Sequence, residues 1–284
     1  MKISKLATKH PLLVFVVINY AISWTILPSA YKILLAAKGS FPPLALFGLI
    51  GGYSPSIAAL IMFAFSDGWN GVKSGLRKFL QWRVHAGWYL FVLAIPIFTD
   101  GAAALVNMHS SINIKGGLVA IPVAFLVALP FGPLGEELGW RGYFLPQLLQ
   151  RYSVMTSTLI VGFVWTLWHL ASFMFPGAAI PSFFRVDAWS IFLFFCSIMA
   201  ESFIFSYAYL KTKGSLVIAI LLHMAFNAGP NITEEFFPAL QGASAPRARI
   251  YITQIVLVAI WALGCFALDR TLKSLGNQKL DVER

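Results

Sequence analysis

Apolar runs near the length that an α-helix needs to cross a hydrocarbon core, about 20 residues, recur eight times along this chain. They are Leu12–Ala37, Phe41–Phe65, Trp88–Val106, Leu118–Gln150, Thr156–Phe175, Trp189–Leu210, Ser215–Ala228 and Ile250–Leu268. In lipid every backbone N–H and C=O must be satisfied inside the protein, so each run reads as a helix. The expected fold is an all-α, polytopic membrane helical bundle of about eight transmembrane helices. The fourth run is too long for one straight span, and Pro130, Gly132, Pro133 and Gly135 predict a kink or break within it. The seventh is short, which suits a place deep in the bundle or beside a water-filled cavity.

Composition agrees with this class and excludes others. Charged residues make up 11% of the chain, against about 25% in soluble domains. Cys196 and Cys265 lie far apart with no CxxC pair, so neither a disulfide framework nor a thiolate metal site is expected. The formal net charge of +10 raises nucleic acid as a partner, but lysine and arginine at membrane edges explain it better. With the N-terminus in the cytoplasm, 14 of the 21 basic residues fall on the cytoplasmic side of eight spans. That bias predicts cytoplasmic N- and C-termini, membrane lipid as surroundings and no nucleic acid. Lys2, Lys5 and Lys9 precede the first run, which outlasts a signal-peptide core and reads as a retained anchor.

The stretch 71–82 has Val72, Leu76, Phe79 and Leu80 at helical spacing, with Lys73, Arg77 and Lys78 on other faces. A basic amphipathic helix on the cytoplasmic leaflet and a loop helix packed on the bundle both fit. Asn231-Ile232-Thr233 matches a glycosylation tripeptide, a pattern common by chance.

Few strongly polar residues enter the runs: Asp100, Glu136, Glu137, Arg141, His169, Glu201, His223 and Asn227. A charge at bilayer depth costs about 2.5–3.5 kcal/mol on insertion scales and marks a functional interior. Glu136 and Glu137 are adjacent, so on a helix they point about 100° apart and serve different ends. Glu137 and Arg141 share a face at i and i+4, the favourable order for a structural ion pair. Glu136 is left without an obvious local partner, as suits a general base or acid. His169 follows Trp165 by one turn, so the indole is an expected aromatic wall for the imidazole, and a satisfied core histidine is the bland reading. His223 and Asn227 share one face at i and i+4, offering two hydrogen-bond donors for an oxyanion or polar glue between helices.

Depth brings the three groups together. Counting from Arg151, Met155 and Lys213 at the cytoplasmic ends of their helices, Glu136 lies about 22 Å deep, His169 about 21 Å, His223 about 15 Å and Asn227 about 21 Å. All fall in one layer of the membrane, which predicts a polar intramembrane cavity shared by these side chains.

Glu136-Glu137-x-x-x-Arg141, Trp165-x-x-x-His169 and His223-x-x-x-Asn227, in this order, resemble the CPBP family of intramembrane proteases. That family includes the type II CAAX prenyl endopeptidases and the Abi and bacteriocin-immunity proteins. Its second motif has Phe where this chain has Trp165. The motifs cover about Leu118–Ala228, so residues 118–228 are the expected catalytic core within a single integral membrane domain of residues 1–284. The resemblance implies an endopeptidase acting near the C-terminus of a membrane-associated peptide or protein, with a prenylated CAAX end as one candidate. In the mechanism it implies, Glu136 and His169 activate water while His223 and Asn227 hold the oxyanion. Glu137, Arg141 and Trp165 support the site or the substrate.

Metal-independent catalysis is favoured, with no cofactor. Zinc remains the alternative, held by Glu136, His169 and His223. A catalytic zinc takes three protein ligands plus water, but the chain lacks the HExxH that preorganises such sites. Two other functions stay open: a non-catalytic immunity or scaffold protein, and a proton-coupled transporter, for which matched broken segments would be expected. Glu201 and Asp100 lie outside the motifs and carry no assigned role.

Overall fold

The computed structural model describes residues 2–37, 43–107, 111–173, 187–240 and 244–268. Twelve α-helices fall among them, joined by short 3-10 turns and one π turn. They are α1 (Lys2–Lys9), α2 (Pro11–Ala36), α3 (Gly48–Gly52), α4 (Ser54–Arg77), α5 (Gly87–Asn107) and α6 (Ile114–Ala128), then α7 (Pro133–Gly139), α8 (Leu145–Leu149), α9 (Val154–Phe173), α10 (Ala188–Lys211), α11 (Leu216–Phe236) and α12 (Ser244–Leu268). The chain is an all-α, multi-pass membrane bundle. Five helices are long and apolar enough to cross a bilayer: α2, α9, α10, α11 and α12. The pair formed by α6 and Pro133–Leu149, bent by 56° at its break, meets the measure only when taken together, as a broken span or a re-entrant loop does. Among the described residues, then, five or six of the eight expected spans meet that measure.

The expected break in the fourth run lies where the Pro and Gly residues cluster. Gly132 adopts φ +116°, a conformation costly for any residue with a β-carbon, and Pro133 then opens α7. The second run is not one helix. Pro43–Phe47 forms a 3-10 turn and α3 ends at Gly52, so the continuous helix starts only at Ser54. Its expected first residues, like the last two of the fifth run, lie outside the described residues. The seventh run is longer than expected: α11 continues through Pro230 to Phe236. It is the most buried of the candidate spans. Its burial comes from packing by α5, α6, α7 and α10, and this compensates the one backbone bond that Pro230 removes. The Asn231-Ile232-Thr233 tripeptide therefore lies within a helix, with Ile232 and Thr233 buried.

Stretch 71–82 packs on the bundle: it comprises the end of α4 and a 3-10 turn at Lys78–Leu80. Asp67 and Gly68 leave helical geometry and turn the end of α4 back on its beginning. Gly71 and Gly75 are buried against Phe63, where a β-carbon on Gly71 would lie 2.1 Å from the Phe63 carbonyl oxygen. Trp69, Leu76, Leu80 and Trp82 remain exposed on the other side.

Small residues also seat α7. A β-carbon on Gly139 would lie 2.4 Å from Pro55 Cβ, and one on Gly135 would lie 2.6 Å from the Tyr53 ring. These glycines let α7 approach the start of α4 backbone to backbone, the usual way of packing helices in lipid. α9 is tethered by polar bonds instead. Tyr20 and Trp24 of α2 donate to the Val164 and Trp168 carbonyls at 2.5 and 3.3 Å. Trp168 Nε1 donates to Ser54 Oγ at 3.0 Å, and that hydroxyl donates to Asn19 Oδ1 at 2.7 Å.

Candidate active site

Three helices supply the site. α7 carries Glu136 and Glu137 in its first turns, α9 carries Trp165 and His169, and α11 carries His223 and Asn227. Glu136 is 4% exposed and Glu137 and Arg141 are fully buried. All the sequence-predicted site residues except Glu137 and Arg141 line a cavity of about 810 Å³ between the helices.

Glu136 does have partners. Trp140 Nε1 donates to its Oε2 at 3.1 Å from one helical turn away, and Trp165 Nε1 donates to the same oxygen at 2.6 Å. Trp165 is thus more than an aromatic wall: its indole N–H holds one oxygen of the carboxyl. The other oxygen, Oε1, faces Gly132. A β-carbon on Gly132 would lie 3.2 Å from Glu136 Oε1, 3.0 Å from Asn227 Nδ2 and 3.4 Å from His223 Nε2. One point thereby marks the convergence of a carboxyl oxygen, an imidazole nitrogen and an amide donor. The missing side chain of Gly132 leaves room for them.

Glu137 turns the opposite way and organises a second layer. It accepts from Arg141 NH1 at 3.0 Å through Oε1 and 3.3 Å through Oε2, as the i, i+4 spacing predicts. Its Oε1 also lies 2.8 Å from His223 Nδ1. A carboxylate can only accept, so Nδ1 carries the proton and Nε2 faces the cavity. The Arg141 guanidinium lies over both Trp165 and Phe205, 4.4 and 4.3 Å from their ring centroids, where those two rings meet edge-on. Its Nε and NH2 have no hydrogen-bond partner among the described residues, so the faces of two rings and the Glu137 carboxylate attract the charge.

His169 is oriented by backbone. Its Nδ1 is 2.9 Å from the Trp165 carbonyl oxygen, an acceptor, so Nδ1 donates and Nε2 is left with its lone pair. Trp168 and Phe194 pack edge-on against the ring at 4.7 and 5.1 Å. Asn227 Nδ2 donates to the Phe131 carbonyl at 3.2 Å, which holds the amide beside Gly132 and leaves Nδ2 a second N–H.

Glu201 also lines the cavity and accepts from Ser197 Oγ at 2.8 Å. Asp100 is 4% exposed, and its Oδ2 has no hydrogen-bond partner among the described residues. No three His, Cys, Asp or Glu side chains among the described residues are grouped to hold a metal ion. Of the zinc ligands considered from sequence, Glu136 has one oxygen bonded by two indoles, and each histidine has Nδ1 bonded within the protein, the second-nitrogen bond that a metal-ligating histidine also makes.

Sequence reasoning missed Trp140 and Phe205, and read Gly132 only as part of the break. The i, i+4 spacing of Glu136 and Trp140 was a usable signal for the first. Nothing local in the sequence announces that Phe205 reaches Arg141.

These features define a class: a polytopic helical membrane protein with a polar cavity, where a buried carboxyl, two imidazoles and an amide meet between helices. Comparison with known proteins finds a similarity over part of the chain. Residues 118–229 match the model of the Rce1-like type II CAAX prenyl endopeptidases. A relative, CAAX prenyl protease 2 of Methanococcus maripaludis, is 34% identical over 107 residues, covering 38% of this chain and 39% of that protein. Residues 118–229 are thus similar to this family, and the match spans about two fifths of the relative's length.

Proposed function

We propose that this protein is an intramembrane endopeptidase that hydrolyses a peptide bond near the C-terminus of a membrane-associated substrate, with a prenylated CAAX-type end as the leading candidate. The carrying observation is the convergence of Glu136 Oε1, His223 Nε2 and Asn227 Nδ2 around Gly132. Water enters beside Glu136 Oε1 and the His169 Nε2 lone pair. These groups take its proton as the oxygen attacks the scissile carbonyl carbon, a positioned general-base step. The carbonyl oxygen, now an anion, receives the second N–H of Asn227 and the N–H at Nε2 of a doubly protonated His223, whose Nδ1 donates to Glu137. The tetrahedral intermediate then breaks its C–N bond. The nitrogen takes the proton held by Glu136 or His169, leaving a carboxylate and a free amine.

Every step uses side chains of this chain, and no metal enters the scheme. Trp140 and Trp165 keep Glu136 aimed by occupying its other oxygen. The short helix–helix distances at Gly135 and Gly139 keep α7 in place. The protein sits with both termini in the cytoplasm in this reading, and the cavity receives a peptide end from that side or from lipid.

The test is a comparison of wild type with Glu136→Gln on a farnesylated CAAX peptide, using purified protein in lipid nanodiscs. Glu136→Gln abolishes cleavage while the protein stays folded. Cleavage that persists in this variant removes Glu136 from the mechanism. Mass spectrometry of peptides retained by Glu136→Gln identifies the substrate class directly.

A further inference from the structure

The helix that carries Glu136 and Glu137 changes geometry directly after them. Trp140–Phe144 forms a π turn, in which Leu145 N–H bonds to the Trp140 carbonyl five residues earlier. Such turns disturb the ordinary hydrogen-bond ladder and recur at functional sites. In an α-helix the Gly142 carbonyl would accept from the residue four positions on. That residue is Pro146, which has no N–H. The missing donor is supplied from another element: Lys78 Nζ donates to the Gly142 oxygen at 2.6 Å. Lys78 lies where α4, having turned back at Asp67 and Gly68, passes into a 3-10 turn, and its ammonium also sits 5.8 Å over the Phe63 ring.

We infer that Lys78 is a positioning residue for the active site: its ammonium bonds the Gly142 carbonyl, to which Pro146 can offer no N–H, and so holds the π turn that presents Arg141 to Glu137. Gly142 follows Arg141 directly, Arg141 bonds Glu137, and Glu137 bonds His223. A shift of the turn is therefore passed along a chain of buried, short bonds to a cavity-facing imidazole. The bond comes from the basic stretch 71–82, in which Leu76, Leu80 and Trp82 are exposed. Placement of the active-site turn thus depends on how that peripheral stretch packs. The catalytic consequence rests on the proposed proteolysis; the structural one does not.

The test uses the full chain in nanodiscs with two variants, Lys78→Met, which keeps length and removes the donors, and Lys78→Arg, which retains them. Backbone amide exchange across 140–148 is measured first. In Lys78→Met it rises about tenfold in this segment alone, the scale of a lost hydrogen bond to a charged group, while Lys78→Arg stays near wild type. With the farnesylated CAAX peptide as probe, kcat of Lys78→Met falls about tenfold, KM and Tm hold, and Lys78→Arg restores turnover. Unchanged exchange in 140–148 overturns the inference. So does faster exchange in every helix with a lowered Tm, which marks general packing. Local exchange that rises while wild type itself cleaves nothing supports the positioning and counts against the protease reading.

Discussion

Trp165 donates its indole N–H to Glu136 Oε2 at 2.6 Å, bridging 29 residues of sequence and two helices. The family resemblance has Phe at this position, which would keep the ring and lose the donor. In this chain the indole fixes one carboxyl oxygen, so that the other faces the reacting group.

Trp165→Phe keeps the fold and lowers kcat about 10- to 100-fold, the range for one hydrogen bond to a charged group. KM changes little, because the bond orients a catalytic group and does not touch substrate. Steady-state kinetics with thermal unfolding of the same preparation checks this. A wild-type kcat would show that Trp140 alone suffices to hold Glu136.

Gly132→Ala introduces a β-carbon into positive-φ backbone, within 3.0 Å of Asn227 Nδ2 and 3.2 Å of Glu136 Oε1. The backbone strain costs about 1–3 kcal/mol. Activity falls further than stability, because the new methyl occupies the volume that water and the scissile carbonyl need. The measurement is the ratio of the kcat/KM loss to the change in unfolding free energy; a proportionate loss would place the reacting groups elsewhere.

Glu137→Ala strips the carboxylate from a fully buried Arg141 and from His223 Nδ1. Breaking a buried pair on one side costs about 3–5 kcal/mol, because the remaining charge is uncompensated. The expected outcome is a large drop in Tm and in yield, unlike Glu136→Gln, which inactivates without unfolding. Arg141→Met removes the other charge and is the milder variant, since His223 still donates to Glu137. Thermal scans of the three variants side by side decide the order.

Cleavage withstands exhaustive chelation, and elemental analysis of active protein finds zinc well below one ion per chain. Activity lost on chelation and restored by zinc alone would overturn the metal-free scheme.

Much of the site was legible because its chemistry is costly to bury. Glu136, His169, His223 and Asn227 stood out as polar residues in apolar runs, and rise per residue placed them at one depth. The Glu137–Arg141 pair followed from i, i+4 spacing. The partners of Glu136 were harder. Trp140 was within reach of the same spacing argument, but an indole reads first as apolar bulk and only secondarily as a donor. Trp165 and Phe205 come to Glu136 and Arg141 from other helices, and helix order in a bundle is not written in hydropathy.

By itself the sequence determined the class: long apolar runs in lipid can only be helices, and a break was due where Pro130 to Gly135 cluster. It also named the polar residues that had to share an interior, since each one alone at that depth would be too costly. Only the tertiary structure decided which atoms meet. Hydrogen bonds depend on the rotation and approach of neighbouring helices, set here by glycines against Pro55 and Tyr53 and by a π turn whose open carbonyl takes Lys78. A residue's depth follows from its own helix, whereas its partner follows from packing between helices distant in sequence. That is why the burial of Glu136 could be read in advance and its two indole donors could not.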